Sequence, residues 1–197
     1  MQQPIQAQPI QAHPSQAPPT LALTRFNTKT WNERERWIDK NKWIGAIYGT
    51  PVTATHWIHG TMIVLEMHND ENKVKALGLV KAQAWPSDRA YQIYSDRNYN
   101  RYIYKSKYRL ILDEIELLPI EKKIIAIFDE LLFKGACHVK RGQGINAVPN
   151  WIMQNKQIDF LEYFKAIFVR YYKVASEAVT SEAQAQQVQV DEVMSLH

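Results

Sequence analysis

Apolar and polar positions follow a strand-like pattern through the first half of the chain and a helical one after about residue 115. Trp43–Tyr48 (WIGAIY) reads as a strand stopped by Gly49-Thr50-Pro51. Thr61–Met67 (TMIVLEM) is apolar on both faces, the mark of a strand buried in the middle of a sheet. Asn69-Asp70-Glu71-Asn72 supplies a turn, and Val74–Val80 (VKALGLV) the next strand, with Gly78 marking a bulge or a close backbone approach. Trp85-Pro86-Ser87-Asp88 ends that run. A short piece at Tyr91–Tyr94 and a longer strand over Arg101–Asp113 complete the β part; in the latter Tyr108, Leu110 and Leu112 alternate with Lys107, Arg109 and Ile111.

Helical spacing takes over at Ile124, Ile127, Phe128 and Leu131, with Pro119 just ahead and Gly135 placed to stop the helix. Asp159 and Glu162 form a capping box for a further helix with a buried stripe of Phe160, Phe164, Ile167, Phe168 and Tyr171. Near the start, Thr30 and Glu33 form another box, predicting a short helix to about Lys40. Strands first and helices later predict an α+β fold: a small mixed or antiparallel sheet, partly closed, with C-terminal helices at its end or side.

Composition sets the outer boundaries. Residues 1–24 are dominated by Gln, Pro, Ala and Ile, with Gln-Pro-Ile-Gln-Ala at 3–7 and again at 8–12. Such a segment buries too little apolar area to offset its ordering entropy and is predicted to be a disordered arm. The core is assigned to 25–156, an amphipathic helix to 157–178 and a flexible tail to 179–197. The outer face of that helix is available for an oligomer contact.

Charge and cysteine content narrow the class. A net charge of +4 and a pI near 9.0 permit contact with nucleic acid or an anionic surface without demanding it. Cys137 is the single cysteine, so neither a disulfide framework nor a cysteine-rich zinc cluster is expected. The N-terminus has no secretory pattern, and no run approaches the roughly 18 apolar residues of a membrane span. These features predict an intracellular chain, in cytoplasm, nucleus or a virion, that is not secreted.

The most distinctive chemistry lies between Arg89 and Arg109. Arg89, Arg97, Arg101, Lys105, Lys107 and Arg109 interleave with Tyr91, Tyr94, Tyr99, Tyr102, Tyr104 and Tyr108, against one acid, Asp96. Cations neutralise phosphates and aromatic faces stack on bases. The alternative is a twisted strand pair whose tyrosines pack inward. A second feature, the turn from Lys140-Arg141 to Gly142-Gln143-Gly144, can present charge and amides to an anion, or be a plain turn; it lacks Walker spacing. Cys137 beside His138 has no third orienting group, and His56 with His59 falls in a Thr-rich loop context, so no nucleophile, metal or cofactor site is expected. Glu66, inside an apolar strand, needs a partner: an arginine, or in a pocket a base edge.

The order of His59-Gly60-Thr61, Val64-Leu65-Glu66, Val74–Val80 and Trp85-Pro86-Ser87-Asp88 resembles the middle of the PUA-like superfamily, especially its EVE and ASCH branches. Leu118-Pro119-Ile120, the turn Lys140-Arg141-Gly142, and Ile145 to Pro149 ahead of Trp151 resemble the EVE C-terminal region. The likeness spans about residues 43–153 and is one of pattern; the Trp-Asp-Gly opening of EVE domains has no clear counterpart. It implies a pseudo-barrel with a concave, aromatic-walled site for nucleic acid, often a modified base. Tyr-Asn-Arg-Tyr and Lys-Arg-Gly-Gln-Gly are also similar to proteins of large DNA viruses, a likeness that implies no activity.

The resulting expectation is a non-catalytic nucleic-acid-binding module, for DNA or RNA, that could read a flipped or modified base. Tyr99, Arg101, Tyr102, Lys105 and Lys107 would contact backbone and base, Lys140 and Arg141 would hold phosphate, and Trp57 or Trp85 would wall a pocket. The alternative is an assembly protein, such as a minor virion component, whose two tails contact neighbouring proteins.

Overall fold

The computed structural model describes residues 19–55, 58, 60–86 and 91–172. Its first strand, β1 (Thr20–Phe26), begins inside the segment assigned above to a disordered arm. The arm boundary at residue 24 is therefore too late: Leu21 and Leu23 enter one core, Ala22 and Phe26 another, and this two-sided burial offsets the cost of ordering the strand. Residues 1–18, and the tail assigned to 179–197, lie outside the described residues.

Asn27 then caps α1 (Thr28–Asn41), accepting from the Thr30 amide at 2.8 Å while Thr30 Oγ1 accepts from the Asn27 amide at 3.1 Å. The capping box thus uses Thr30 as its third helical residue, one turn earlier than the Thr30–Glu33 box expected from sequence. The helix stops at Lys42, in the left-handed region at φ 51°. Six short strands follow: β2 (Ile47–Thr50), β3 (Thr61–His68), β4 (Lys73–Lys81), β5 (Trp85–Pro86), β6 (Tyr102–Lys105) and β7 (Arg109–Ile111). Next come α2 (Pro119–Phe133), β8 (Asn146–Ala147), a one-turn α3 (Asn150–Met153) and α4, helical from 160 to 172.

The class is α+β, but the strands do not close into a barrel. They form a five-stranded sheet, β7-β4-β3-β1-β8, and a three-stranded sheet, β2-β6-β5. The expected single strand over Arg101–Asp113 is the reason: it breaks after Lys105, so β6 joins the small sheet while β7 pairs with β4 in the large one. The piece expected at Tyr91–Tyr94 has no strand pairing. β3 lies between β1, parallel, and β4, antiparallel, which accounts for its unbroken apolar run.

Each face of the large sheet has its own core. One joins Leu23, Leu65 and Leu77 to α2 and α4, where Phe128 meets Phe160 and Phe164 edge-on at 4.8 and 4.9 Å. The other joins Met62, Val64 and Val80 to the small sheet through Ile47, Tyr48 and Ile103. The helical stripe expected on α4 is buried at Phe160, Phe164, Ile167 and Phe168, but Tyr171 is exposed. No helix among the described residues is long and apolar enough to cross a membrane.

Asp129 ties α2 to β4 by accepting the Val74 amide at 2.7 Å. Burial pushes its carboxyl up to about 6. A raised folded value means that the stabilisation is full below the unfolded value near 3.8 and is lost as pH rises through about 6. Asp129→Asn keeps an acceptor without the charge. In thermal melts it is expected to gain about 1 kcal/mol over the parent protein at pH 7, less than the full shift because solvent screens this partly exposed group, and almost nothing at pH 4; an equal difference at both pH values would show that the carboxylate is not penalised.

Candidate functional site

β1 and β3 end side by side, and α1 starts where β1 stops. This carboxyl edge of a parallel pair beside a helix start leaves a crevice, as open sheets commonly do. The crevice is a cleft of about 150 Å³ lined by Arg25, Asn69, Tyr94, Tyr99, Lys140 and the glycines of the 142–144 turn. It brings together two of the residues predicted to bind, Tyr99 and Lys140.

Among the described residues, Arg25 and Lys140 are the two cations that line the cleft. Arg25 is held by neutral groups. Its Nε donates to the Val139 carbonyl at 2.5 Å and its Nη1 to Asn146 Oδ1 at 2.7 Å, both neutral acceptors. Burial lowers its pKa to about 10, because desolvation disfavours the charge. Lys140 Nζ also has a neutral partner, Asn72 Oδ1 at 2.8 Å. Among the described residues, neither cation is ion-paired. The start of α1, by contrast, is already satisfied: Asp70 accepts from both the amide and the hydroxyl of Thr28 at 2.8 Å, which holds its carboxyl below the usual range. Any attraction for an anion in this cleft therefore comes from the two side-chain cations.

Glycine is required around the cleft where atoms come closest. A Cβ on Gly49 would lie 2.4 Å from the Tyr99 carbonyl oxygen, so only glycine lets the 94–99 segment close over β2. Gly142, at φ 145°, sits against the guanidinium: a Cβ there would be 3.0 Å from Arg25 Cζ. The Lys140-to-Gly144 turn is thus shaped around Arg25. Tyr94 and Tyr99 meet edge-on at 6.0 Å, and burial raises the Tyr94 hydroxyl to about 12.

A second grouping lies on the small sheet. The Lys105 ammonium is 4.5 Å from the Tyr91 ring, 4.7 Å from Trp85 and 5.8 Å from Trp43, and it donates to the Tyr91 hydroxyl. Trp37 stands behind, 6.0 Å from Tyr91 and 6.4 Å from Trp43. Cation–π attraction of this kind holds the lysine in place of a carboxylate. Trp85 keeps 55% of its surface exposed.

The remaining predicted residues do not form one patch. Arg101 is exposed, 5.8 Å above the Tyr102 ring, and Lys107 and Arg141 are exposed as well. Tyr104 is buried, its hydroxyl accepting from the Ala54 amide at 2.6 Å, while Tyr108 packs against Tyr172. Trp57, like Arg89, His56 and His59, lies outside the described residues. The split between the two sheets after Lys105 is what scatters the Tyr-rich segment.

Arg109 turns inward, and its destination decides the role of Glu66. The fully buried Glu66 accepts from Tyr48 Oη at 2.8 Å, from Arg109 at 2.9 and 3.0 Å, and pairs with Arg34 at 2.8 Å. Burial pushes the carboxyl up, but Arg109 and Arg34 outweigh it and bring it down to about 2. Arg109 also holds Glu35, and Arg34 is flanked by Phe26 and Trp31 at 4.0 and 4.3 Å. A carboxylate engaged in this way has no capacity for a base edge, so Glu66 is the hub of an ion network, as the arginine reading anticipated.

Cys137 is free and exposed, with His138 exposed beside it. Among the described residues no three His, Cys, Asp or Glu side chains gather as metal ligands would. Arg25 was missed from sequence because it fell at the edge of the presumed arm; recognising TLALTRF as a strand would have placed it at a sheet end. Comparison with family models, with curated proteins and with solved structures returned no match.

Proposed function

We propose that the chain is a non-catalytic nucleic-acid-binding module, which takes a backbone phosphate between Arg25 and Lys140 and sets a sugar or base against Tyr99. The observation that supports this reading is a half-buried guanidinium whose hydrogen-bond acceptors are both neutral, at the wall of an open cleft. Burying a cation without a counter-charge is costly. A phosphate offers both the missing charge and acceptor oxygens matched to the guanidinium fork. Tyr99 adds an aromatic face within the same lining.

Phosphate contacts release counterions, so affinity should fall with salt at a log–log slope of about 0.7–0.9 per contact. Fluorescence anisotropy against single- and double-stranded DNA and RNA is expected to show that dependence. Lys140→Ala should flatten the slope by about one contact, and Arg25→Gln, which can still donate to the Val139 carbonyl, should weaken binding at least tenfold. Absence of salt-sensitive binding to every nucleic acid, with circular dichroism showing intact folds, would remove this reading.

A further inference from the structure

The cleft shares a lining residue with a second hollow. Tyr94 lines both the cleft and an open groove of about 530 Å³ between α1 and the segment around Gln92–Arg97. Trp37, on the wall of that groove, is also the ring behind the Lys105 grouping. Cleft, groove and lysine grouping therefore share walls in sequence: Tyr94 joins the first two and Trp37 the last two.

α1 flanks both hollows. Thr30 lines the cleft, while Glu33, Trp37 and Lys40 line the groove. Spaced by three, four and three residues, they share one helical face. From Thr30 to Lys40 that face runs roughly 15 Å at 1.5 Å per residue.

Cations follow the same course. Arg25 and Lys140 stand at the cleft, Arg36, Lys40 and Arg97 line the groove, and Lys105 sits on the other side of Trp37's ring neighbours, Tyr91 and Trp43. The one carboxylate lining the groove among the described residues, Glu33, is held by Ser95, whose hydroxyl donates to it at 2.6 Å. Tyr99 lines the cleft, Trp37 the groove, and the exposed Trp85 stands 4.7 Å from the Lys105 ammonium.

We infer that the ligand of this surface is a single strand, entering a phosphate into the cleft, laying its backbone along α1 past Arg36, Lys40 and Arg97, and stacking a base on Trp85 beside Lys105. The inference rests on the cleft reading above and goes beyond it in naming the strandedness and the path. Alternation of charge and ring is what separates the two forms of nucleic acid. A duplex presents phosphates but keeps its base faces stacked inside, whereas an unpaired strand offers both.

A length series tests this. A nucleoside monophosphate, single strands of two to eight nucleotides and a hairpin duplex would compete against a labelled octamer bound to the full chain. Affinity is expected to rise over about the first four nucleotides and then level off, with the duplex at least tenfold weaker than the octamer. Trp85→Ala should weaken the octamer about tenfold. Arg36→Ala with Lys40→Ala should weaken the octamer at least tenfold more than the monophosphate. All three side chains are exposed enough that their removal leaves the cores intact. A monophosphate that binds as tightly as the octamer, or a duplex that competes equally, would overturn the single-strand path while leaving the cleft. If every ligand fails, the monophosphate included, the cleft reading falls and this inference with it.

Discussion

Glu66→Gln is expected to cost about 3–5 kcal/mol, because of the two carboxylates shared by Arg34 and Arg109 it removes the fully buried one, leaving Glu35. Arg34 is fully buried and Arg109 nearly so. Glutamine keeps an acceptor for Tyr48 but leaves both arginines with only the partly solvated Glu35 as counter-charge. At roughly 2–4 °C per kcal/mol for a chain of this size, the melting temperature should fall by about 10 °C. Replacing the set together, by Glu66→Leu with Arg34→Met and Arg109→Met, should recover much of the loss, since exchanging a whole buried ion cluster for apolar groups is near neutral. The pH dependence has a definite sign. A carboxyl depressed from about 4.5 to about 2 stabilises fully above 4.5 and loses that contribution as pH falls through 2. The parent protein should lose stability across this window, and Glu66→Gln should lose less. A single variant as stable as the parent at pH 7 would show that the network is not a source of stability.

Gly78→Ala is the second large effect. Gly78 is in β4, and a Cβ there would lie 1.8 Å from Tyr48 Oη and 2.9 Å from Ala46 Cβ. The tyrosine cannot swing aside, because its hydroxyl is tied to Glu66 at 2.8 Å and its ring is buried between the two sheets. Overpacking of this kind typically costs 1–3 kcal/mol, and a fixed polar contact places it at about 3 or above. Tyr48→Phe alone removes a hydrogen bond to a charged group, worth about 1.5–3 kcal/mol. The double variant should cost less than the sum, because the phenylalanine relieves the closest contact. Strict additivity, measured by denaturant unfolding, would mean that the glycine is not there to admit the hydroxyl.

These two positions also show what a sequence discloses. Gly78 was legible as a close approach because a glycine inside an apolar strand wastes packing unless something needs the space; that the visitor is Tyr48 depends on the facing of two sheets. Glu66 was legible as a residue needing an arginine. Arg34 and Arg109 could not be singled out, because each reaches it only after α1 and β7 have docked. β3 was readable from its unbroken apolar run, β4 from the turn ahead of it, and α2 from its helical spacing between Pro119 and Gly135. β1 was not, since seven strand-forming residues follow a Pro/Gln segment whose composition argues for disorder. The tyrosine–cation interleaving was visible, but its division between two sheets was not: nothing in Lys105-Ser106-Lys107 announces that the chain changes sheets there. The site consequently shifted from one strand pair to a sheet edge in which Tyr99 and Lys140 meet the unforeseen Arg25.

The claim on which the functional account rests is that the Arg25 guanidinium receives a phosphate. It is tested most directly by following the side-chain Nε–H resonance of Arg25 and the amides of Gly142 and Gly144 in a nitrogen–proton spectrum during titration with a nucleoside monophosphate. The account predicts saturable shifts of these three signals at one common affinity, weakened by added salt. Shifts confined to other surfaces, with the three signals unmoved at saturation, would contradict it.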